Sequence, residues 1–286
     1  MAIAELKRAL YSHSSLCTQD LFLKLFDKDT AIVTGAGNGI GRAISQALVR
    51  EGVPTLFADV NAQTVQQAAD DALTGDHEAI GESTPLGNAY TWVGDLAREG
   101  ACQELLSEAE RVLGRPTMLV HSASPPRHER DHLFDVSHDT WRQMRAVNVD
   151  AAFELGRSLA RRWVADNTPG RILLLTSLHT ETPRNLPHYS SSKAGMAMLM
   201  KEFAKSLGQH QIRVNAMVPG AVAAGGFKAD PALAAHIPLG RIGGADDLAP
   251  MALAVLSNKM ASYVTGTSIV VDGGLSLCNW FEAPEL

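Results

Sequence analysis

Tyr189 and Lys193 lie four residues apart in the stretch 189–209, where Met196, Leu199, Met200, Phe203 and Leu207 recur at helical spacing. Residues so spaced share one face of a helix, so the phenol and the ammonium can meet. An ammonium beside a phenol favours the phenolate, the form a tyrosine needs to exchange a proton near neutrality. That spacing alone is common. Ser177 gives it weight, because it follows the apolar run 171–176, which reads as a strand buried on both faces. A serine there can hold a substrate oxygen while Tyr189 exchanges the proton; taken alone, it reads as a turn residue. Asn148 lies between Val147 and Val149 in a helical stretch where an apolar residue is expected. A buried asparagine must find partners, either as a brace or by holding a water in a proton path.

A second constellation lies near the start of the chain. The apolar run 30–34 ends in a turn containing Gly35, Gly37, Asn38, Gly39 and Gly41, and Ile40, Ala43, Ile44, Ala47 and Leu48 then take up helical spacing. Strand, glycine turn and helix form the setting in which backbone amides and a helix N-terminus face a pyrophosphate. Asp59 closes the next apolar run, roughly twenty residues beyond the turn, where a carboxylate can accept hydrogen bonds from an adenosine ribose. The same carboxylate repels a 2′-phosphate, and neither Asn38 nor Val60 supplies a cation to offset it. The cofactor expected is NAD in preference to NADP. The competing reading of Asp59 is a helix N-cap.

The elements that position these residues follow from periodicity. Strands are expected at 30–34, 55–58, 90–93, 118–120, 171–176, 212–218 and 268–271. Helices are expected from Ile40 to about Glu51, at 62–72, around 102–113, 139–166, 189–209 and 246–257. Alternation of this kind specifies an α/β fold: a Rossmann-type doubly wound parallel sheet of seven strands with helices on both faces. Ligands belong at the C-terminal strand ends, where Gly35, Asp59, Asp95, His121, Ser177 and Pro219 fall. Residues 21–286 read as one domain, with residues 1–20 as an extension and 73–88 as a loop insertion.

Composition narrows the function classes. Of 286 residues, 25 are basic and 31 acidic, and a net charge of −6 argues against a nucleic-acid or anionic-membrane surface. Cys17, Cys102 and Cys278 are scattered without a CxxC, which fits a reducing compartment. No apolar run approaches about 18 residues and no signal peptide is apparent, so a cytoplasmic location is expected. Cys102 falls on an apolar helical stripe, a sufficient account of it. One rival motif is His128-Glu129-Arg130-Asp131-His132, an H-E-x-x-H match with His138 as a third candidate ligand. It needs a helix to bring both histidines to one zinc ion. Pro125-Pro126 precede it, and Asp135 stands where that pattern needs glycine. The expectation is no metal and a polar loop over the site mouth, where Arg127, His128 or His132 can touch substrate.

Taken together, Thr34-Gly35-x-x-x-Gly39-x-Gly41, Asp95-Leu96, Asn148, Ser177, Tyr189-x-x-x-Lys193, Asn215, Pro219-Gly220 and Asp272-Gly273-Gly274 make the chain, from about Leu25 to Leu275, resemble the short-chain dehydrogenase/reductase family. The resemblance implies a catalytic set of Tyr189 as acid/base, Lys193 favouring its phenolate and binding the nicotinamide ribose, Ser177 orienting the substrate oxygen, and Asn148 supporting a proton relay. It implies cofactor contacts from Gly35, Asn38, Gly39, Ile40, Gly41, Asp59, Val60, Asp95, Leu96, Ser122, Tyr189, Lys193, Pro219, Gly220 and Val222. It also implies a homo-oligomer, tetramer or dimer, paired through the helices containing 141–162 and 189–209. The stretch 176–183, running on to His188-Tyr189, resembles the glucose-dehydrogenase branch, which leans toward sugar or polyol alcohols.

Some positions depart from the family pattern. His121-Ser122-Ala123-Ser124 replaces its Asn-Asn-Ala-Gly turn, altering a cofactor-shelf contact. Ala224 stands where a cofactor-contacting threonine is usual, and the lid between Gly220 and Pro238 is short. The function expected is an NAD-dependent oxidoreductase interconverting a small secondary alcohol and a ketone. The alternatives are a 3-oxoacyl-thioester reductase, and a cofactor-binding relative without catalysis.

Overall fold

The computed structural model describes residues 24–74, 85–224 and 231–277. The extension 1–20, the middle of the insertion and part of the expected lid lie outside the described residues.

Strands β1 (Ala31–Thr34), β2 (Thr55–Asp59), β3 (Ala89–Val93), β4 (Met118–His121), β5 (Arg171–Leu175), β6 (Arg213–Pro219) and β7 (Ser268–Val271) form one sheet in the order β3-β2-β1-β4-β5-β6-β7. Every neighbouring pair is parallel. The connecting helices are α1 (Gly39–Arg50), α2 (Ala62–Thr74), α3 (Ala101–Leu113), α4 (His138–Arg145), α5 (Ala151–Ala165), α6 (Pro187–Leu207), α7 (Ala249–Leu256) and α8 (Asn258–Ala261).

The apolar strand runs divide by alternation, since successive side chains leave a strand on opposite faces. Val33, Phe57, Val120 and Leu173 pack with Ile44, Leu48, Val65 and Leu248 on the face covered by α1, α2 and α7. Ile32, Leu56, Leu119 and Ile172 pack with Leu105, Leu155, Leu159, Met196 and Met200 on the other. Cys102 belongs to this second core, and burial pushes its thiol up to about 12, with Glu154 adding to the shift. Strand order reverses between β1 and β4, and a crevice at such a switch point is where doubly wound sheets bind ligands.

Two expected helices are divided. The stretch 139–166 is α4, a π-helical turn over Ala146–Asp150, then α5. Apolar spacing does not register a single wide turn, which shifts the helix face by one residue. The stretch 246–257 is a 3-10 turn, Ala245–Asp247, followed by α7. Pro250 lacks the N–H that would continue the first turn into the second. At the site end of the sheet, Gly220 donates to Val271 O at 3.1 Å, and a Cβ on it would lie 2.5 Å from that of Asp272. That contact accounts for the glycine after Pro219. Among the described residues no helix is long and apolar enough to cross a membrane.

Candidate active site

The glycine turn between β1 and α1 folds tightly against the end of β4. Gly35 has φ +68°, and a Cβ there would lie 2.7 Å from Ala123 N; a Cβ on Gly41 would lie 2.2 Å from Gly35 O. Neither position accepts a side chain without moving backbone. Asn38 caps α1, its side-chain oxygen accepting from Gly39 N–H at 2.7 Å. Ser122 is half-buried beside Gly41, and Ile40 packs on the first core. A helix N-terminus opened by close-packed glycines fits a pyrophosphate.

Asp59 ends β2 beside this turn: Gly37 N–H donates to its Oδ2 at 2.9 Å and Asn61 N–H to its Oδ1 at 3.0 Å. The capping of α2 falls to Asn61, whose side chain accepts from the N–H groups of Gln63 and Thr64, both at 3.0 Å. Asp59 therefore braces the turn while remaining partly exposed, and the helix-cap alternative belongs to its neighbour. Arg42, one turn into α1, is paired with Asp71 of α2. Val60 is 68% exposed. Asp95 is exposed past β3 and accepts from Ala97 N–H at 2.9 Å, and Leu96 packs on the second core.

A largely buried chain of hydrogen bonds joins the glycine turn to the π turn that carries Asn148. Ala123 N–H donates to Thr34 Oγ1 at 3.2 Å, the Thr34 hydroxyl lies 3.0 Å from His121 Nδ1, and His121 Nε2 lies 3.0 Å from Val147 O in the π turn. A carbonyl only accepts, so Nε2 carries the ring proton and the threonine hydroxyl donates to Nδ1. Burial pulls His121 down to about 4, and the Lys193 charge adds to this, so the ring is neutral. His121 thus has a bracing task. In the sequence His121 stands out as a strand-end residue and a departure from the family turn, and nothing local points to a partner in a distant helix.

Asn148, next in the π turn, is fully buried. Its Nδ2 donates to Ser192 Oγ at 2.9 Å and contacts Met144 Sδ at 3.2 Å, while its Oδ1 has no hydrogen-bond partner among the described residues. Ser192 Oγ in turn donates to Tyr189 O at 2.8 Å. The asparagine is both braced and left with an orphan acceptor, which costs about 1–3 kcal/mol unless a water meets it.

Helix α6 begins at Pro187, whose missing N–H suits the first turn. It carries Tyr189 and Lys193 on one face. Lys193 is buried, and its Nζ donates to Leu175 O, the last carbonyl of β5, at 2.8 Å. Burial, followed by the Arg127 charge, pulls it down to about 7. Its Nζ lies 5.6 Å from the Tyr189 ring centroid. The His179 ring meets Tyr189 edge-on at 5.3 Å, and the Arg127 guanidinium carbon stands 4.8 Å from the same centroid. Burial, then Arg127 and Arg184, hold His179 at about 4, so it too is neutral. Ser177 is buried two residues beyond Leu175 and caps the 3-10 turn Leu178–Thr180, accepting from His179 N–H at 3.3 Å. That turn packs on α6, so Ser177 keeps its turn role at the edge that carries Tyr189 and Lys193.

The stretch 128–132 runs through turns and not a helix, so the zinc motif lacks the geometry that would align its histidines. His132 Nδ1 instead donates to Asn185 O at 3.2 Å. Val222 is buried in the first core and forms a parallel bridge with Gly243. Ala224 is half-buried against the same core.

With the fold and the side chains placed, comparison with known proteins identifies the class. A family model described as "Enoyl-(Acyl carrier protein) reductase" matches residues 35–276. Human (3R)-3-hydroxyacyl-CoA dehydrogenase is 31% identical over 251 residues, covering 86% of this chain and 94% of its own. L-rhamnose 1-dehydrogenase (NAD(P)(+)) of Azotobacter vinelandii is 31% identical, covering 88% of this chain and 97% of its own. The crystal structure of acetoin dehydrogenase YohF from Salmonella typhimurium superposes with a TM-score of 0.74 at 30% identity, covering 88% of this chain and 99% of its own. The chain belongs to the short-chain dehydrogenase/reductase family. It is an oxidoreductase acting on CH–OH groups with a nicotinamide cofactor.

Proposed function

We propose that the protein interconverts a small secondary alcohol, such as a sugar or polyol, and its ketone, preferring NAD to NADP. The observation that carries this reading is the buried Lys193 side chain held on Leu175 O beside the Tyr189 ring, at the C-terminal edge of the sheet. Gly35 and Gly41, closed to any side chain, fit the pyrophosphate. Asp59, with Arg42 occupied by Asp71, supports the NAD preference by placing a carboxylate beside the turn.

When bound, the nicotinamide supplies the hydride acceptor in oxidation and the donor in reduction. The protein's own residues handle the rest. In oxidation, the carbinol carbon loses its hydrogen with the bonding pair, the hydroxyl proton passes to the Tyr189 phenolate, and the C=O bond forms. Lys193, its Nζ 5.6 Å from the Tyr189 ring, would favour that phenolate and would hold the nicotinamide ribose when the cofactor is bound. Ser177 orients the reacting oxygen, and Asn148 Oδ1 holds the water through which the proton leaves. The exposed Phe153, stacked on Phe203 at 6.1 Å, and exposed Met198 support pairing of α5 and α6 with a second copy.

The similarity to (3R)-3-hydroxyacyl-CoA dehydrogenase favours one second reading, an acyl-thioester substrate. Following NADH formation across sugars, polyols, acetoin, hydroxysteroids and 3-hydroxyacyl thioesters tests both. Turnover of a free alcohol with NAD supports the first reading. Turnover confined to thioesters establishes the second, and cofactor binding with no turnover on the whole panel leaves a binding protein.

A further inference from the structure

The turn that fixes Ser177 also carries an imidazole to Tyr189. Ser177 Oγ accepts from His179 N–H at 3.3 Å, and Ser177 O accepts from Thr180 N–H at 2.9 Å and from the Thr180 hydroxyl at 2.6 Å. The bonds that hold the serine therefore hold His179 as well, and little freedom is left to lose on meeting a ligand. The half-buried His179 ring meets the Tyr189 ring edge-on, with 5.3 Å between centres and 88° between planes. Edge-on contact is by itself ordinary aromatic packing. Packing does not account for the nitrogens. The His179 ring makes no hydrogen bond among the described residues, and its Nδ1 is buried. Burial, then the charges of Arg127 and Arg184, keep the ring neutral, so it carries one donor and one acceptor. His188, whose ring also lacks hydrogen bonds among the described residues, is shut away from ligand: its side chain is fully buried and its Nε2 faces Asp131 Oδ2 at 3.7 Å.

We propose that His179 is the specificity contact for a second substrate oxygen, so that the substrates are vicinal diols and the matching α-hydroxyketones. The reacting oxygen sits with Ser177 and Tyr189, and the hydroxyl on the neighbouring carbon meets the His179 imidazole. This rests on the dehydrogenase reading above and narrows its substrate class. Oxygens on adjacent carbons lie about one hydrogen-bond length apart, so one small molecule can meet Tyr189 and His179 together. A hydroxyl both donates and accepts, and so suits either tautomer of a neutral ring. A lone alcohol filling the same space leaves the imidazole unpaired, which is how a site built for a hydroxyl rejects an analogue lacking it. The contact also ties recognition to chemistry, since the backbone N–H of the recognising residue is bonded to the hydroxyl of Ser177.

The test is steady-state kinetics with NAD on matched pairs: 2,3-butanediol against 2-butanol, and 1,2-cyclohexanediol against cyclohexanol. Wild type is compared with His179→Phe, which keeps a ring against Tyr189, and His179→Gln, which keeps a donor and an acceptor. Melting temperatures confirm that each variant is folded. Wild type favours each diol in kcat/KM by about 10- to 100-fold, His179→Phe removes most of that preference, and His179→Gln restores part of it. Equal losses on diols and mono-alcohols overturn the contact and leave His179 packing Tyr189. A preference unchanged in His179→Phe, or absent from wild type, overturns it outright. If wild type oxidises none of these compounds, the alcohol-dehydrogenase reading fails separately. Calorimetric binding of both diols to cofactor-loaded wild type and His179→Phe then decides the contact, with equal binding or no binding counting against it.

Discussion

The two halves of the site handle polarity in opposite ways. Around the glycine turn, charge is met by backbone: Gly37 and Asn61 N–H groups hold Asp59, and the turn closes on Ala123 with no room for a Cβ. Around Tyr189, buried side-chain atoms without a hydrogen-bond partner among the described residues include Asn148 Oδ1, His179 Nδ1 and His188 Nδ1, while His188 Nε2 and Asp131 Oδ2 face each other at 3.7 Å. Buried polar atoms without partners are uncommon and destabilising, and they concentrate where ligand or water completes the structure. The first half is finished before ligand arrives. The second half leaves buried polar atoms without hydrogen bonds among the described residues.

The largest expected break in this contrast comes from Lys193→Met, which keeps the stem and removes the buried charge. Turnover falls about 100- to 10,000-fold, while the melting temperature at pH 7 is unchanged or higher. In wild type, Lys193 holds its proton only up to about 7, against 10.5 for the ordinary group, so the unfolded chain binds more protons between those values. Stability therefore rises with pH across that window. Denaturant midpoints measured from pH 7 to 10 should lose part of that slope in the variant; a slope left intact would place the burial cost elsewhere.

The brace between the halves gives the next effect. His121→Ala leaves Val147 O and the Thr34 hydroxyl without their partner and opens a cavity, at about 2–4 kcal/mol of stability. Because the folded ring protonates only near 4 and the free imidazole near 6.5, wild type loses stability as pH falls from about 6.5 toward 4. Urea titrations at pH 7 and 5 check both the size and the sign. A variant as stable as wild type at pH 7 would show that the two halves are not joined through His121.

The smallest effect is on cofactor choice. Asp59→Ala should narrow the ratio of NAD to NADP catalytic efficiency by about tenfold, close to 1.4 kcal/mol, and leave the alcohol KM unchanged. A ratio that stays fixed would assign the Asp59 carboxylate to bracing Gly37 alone.

What the sequence disclosed follows the range of the interactions. The glycine turn is a strand–turn–helix written in contiguous residues, and Tyr189 and Lys193 are one helical turn apart, so both were legible. Strand alternation placed the sheet, since Ile32 and Val33, or Leu119 and Val120, supply both cores from adjacent positions. The His121–Val147 bond spans 26 residues and uses a carbonyl, which leaves no mark in side-chain pattern. The π turn that frames Asn148 escapes a periodicity that tolerates one extra residue. Arg127 was readable only as part of a polar loop at the mouth, because its place over Tyr189 depends on how that loop closes on α6.

Tyr189→Phe tests the central claim most directly, since it removes one hydroxyl and keeps the ring that Arg127, His179 and Lys193 surround. NAD binding, followed by calorimetry, should stay within about twofold of wild type, and NADH formation from any alcohol the wild type oxidises should disappear. Turnover that survives in the variant would contradict the account.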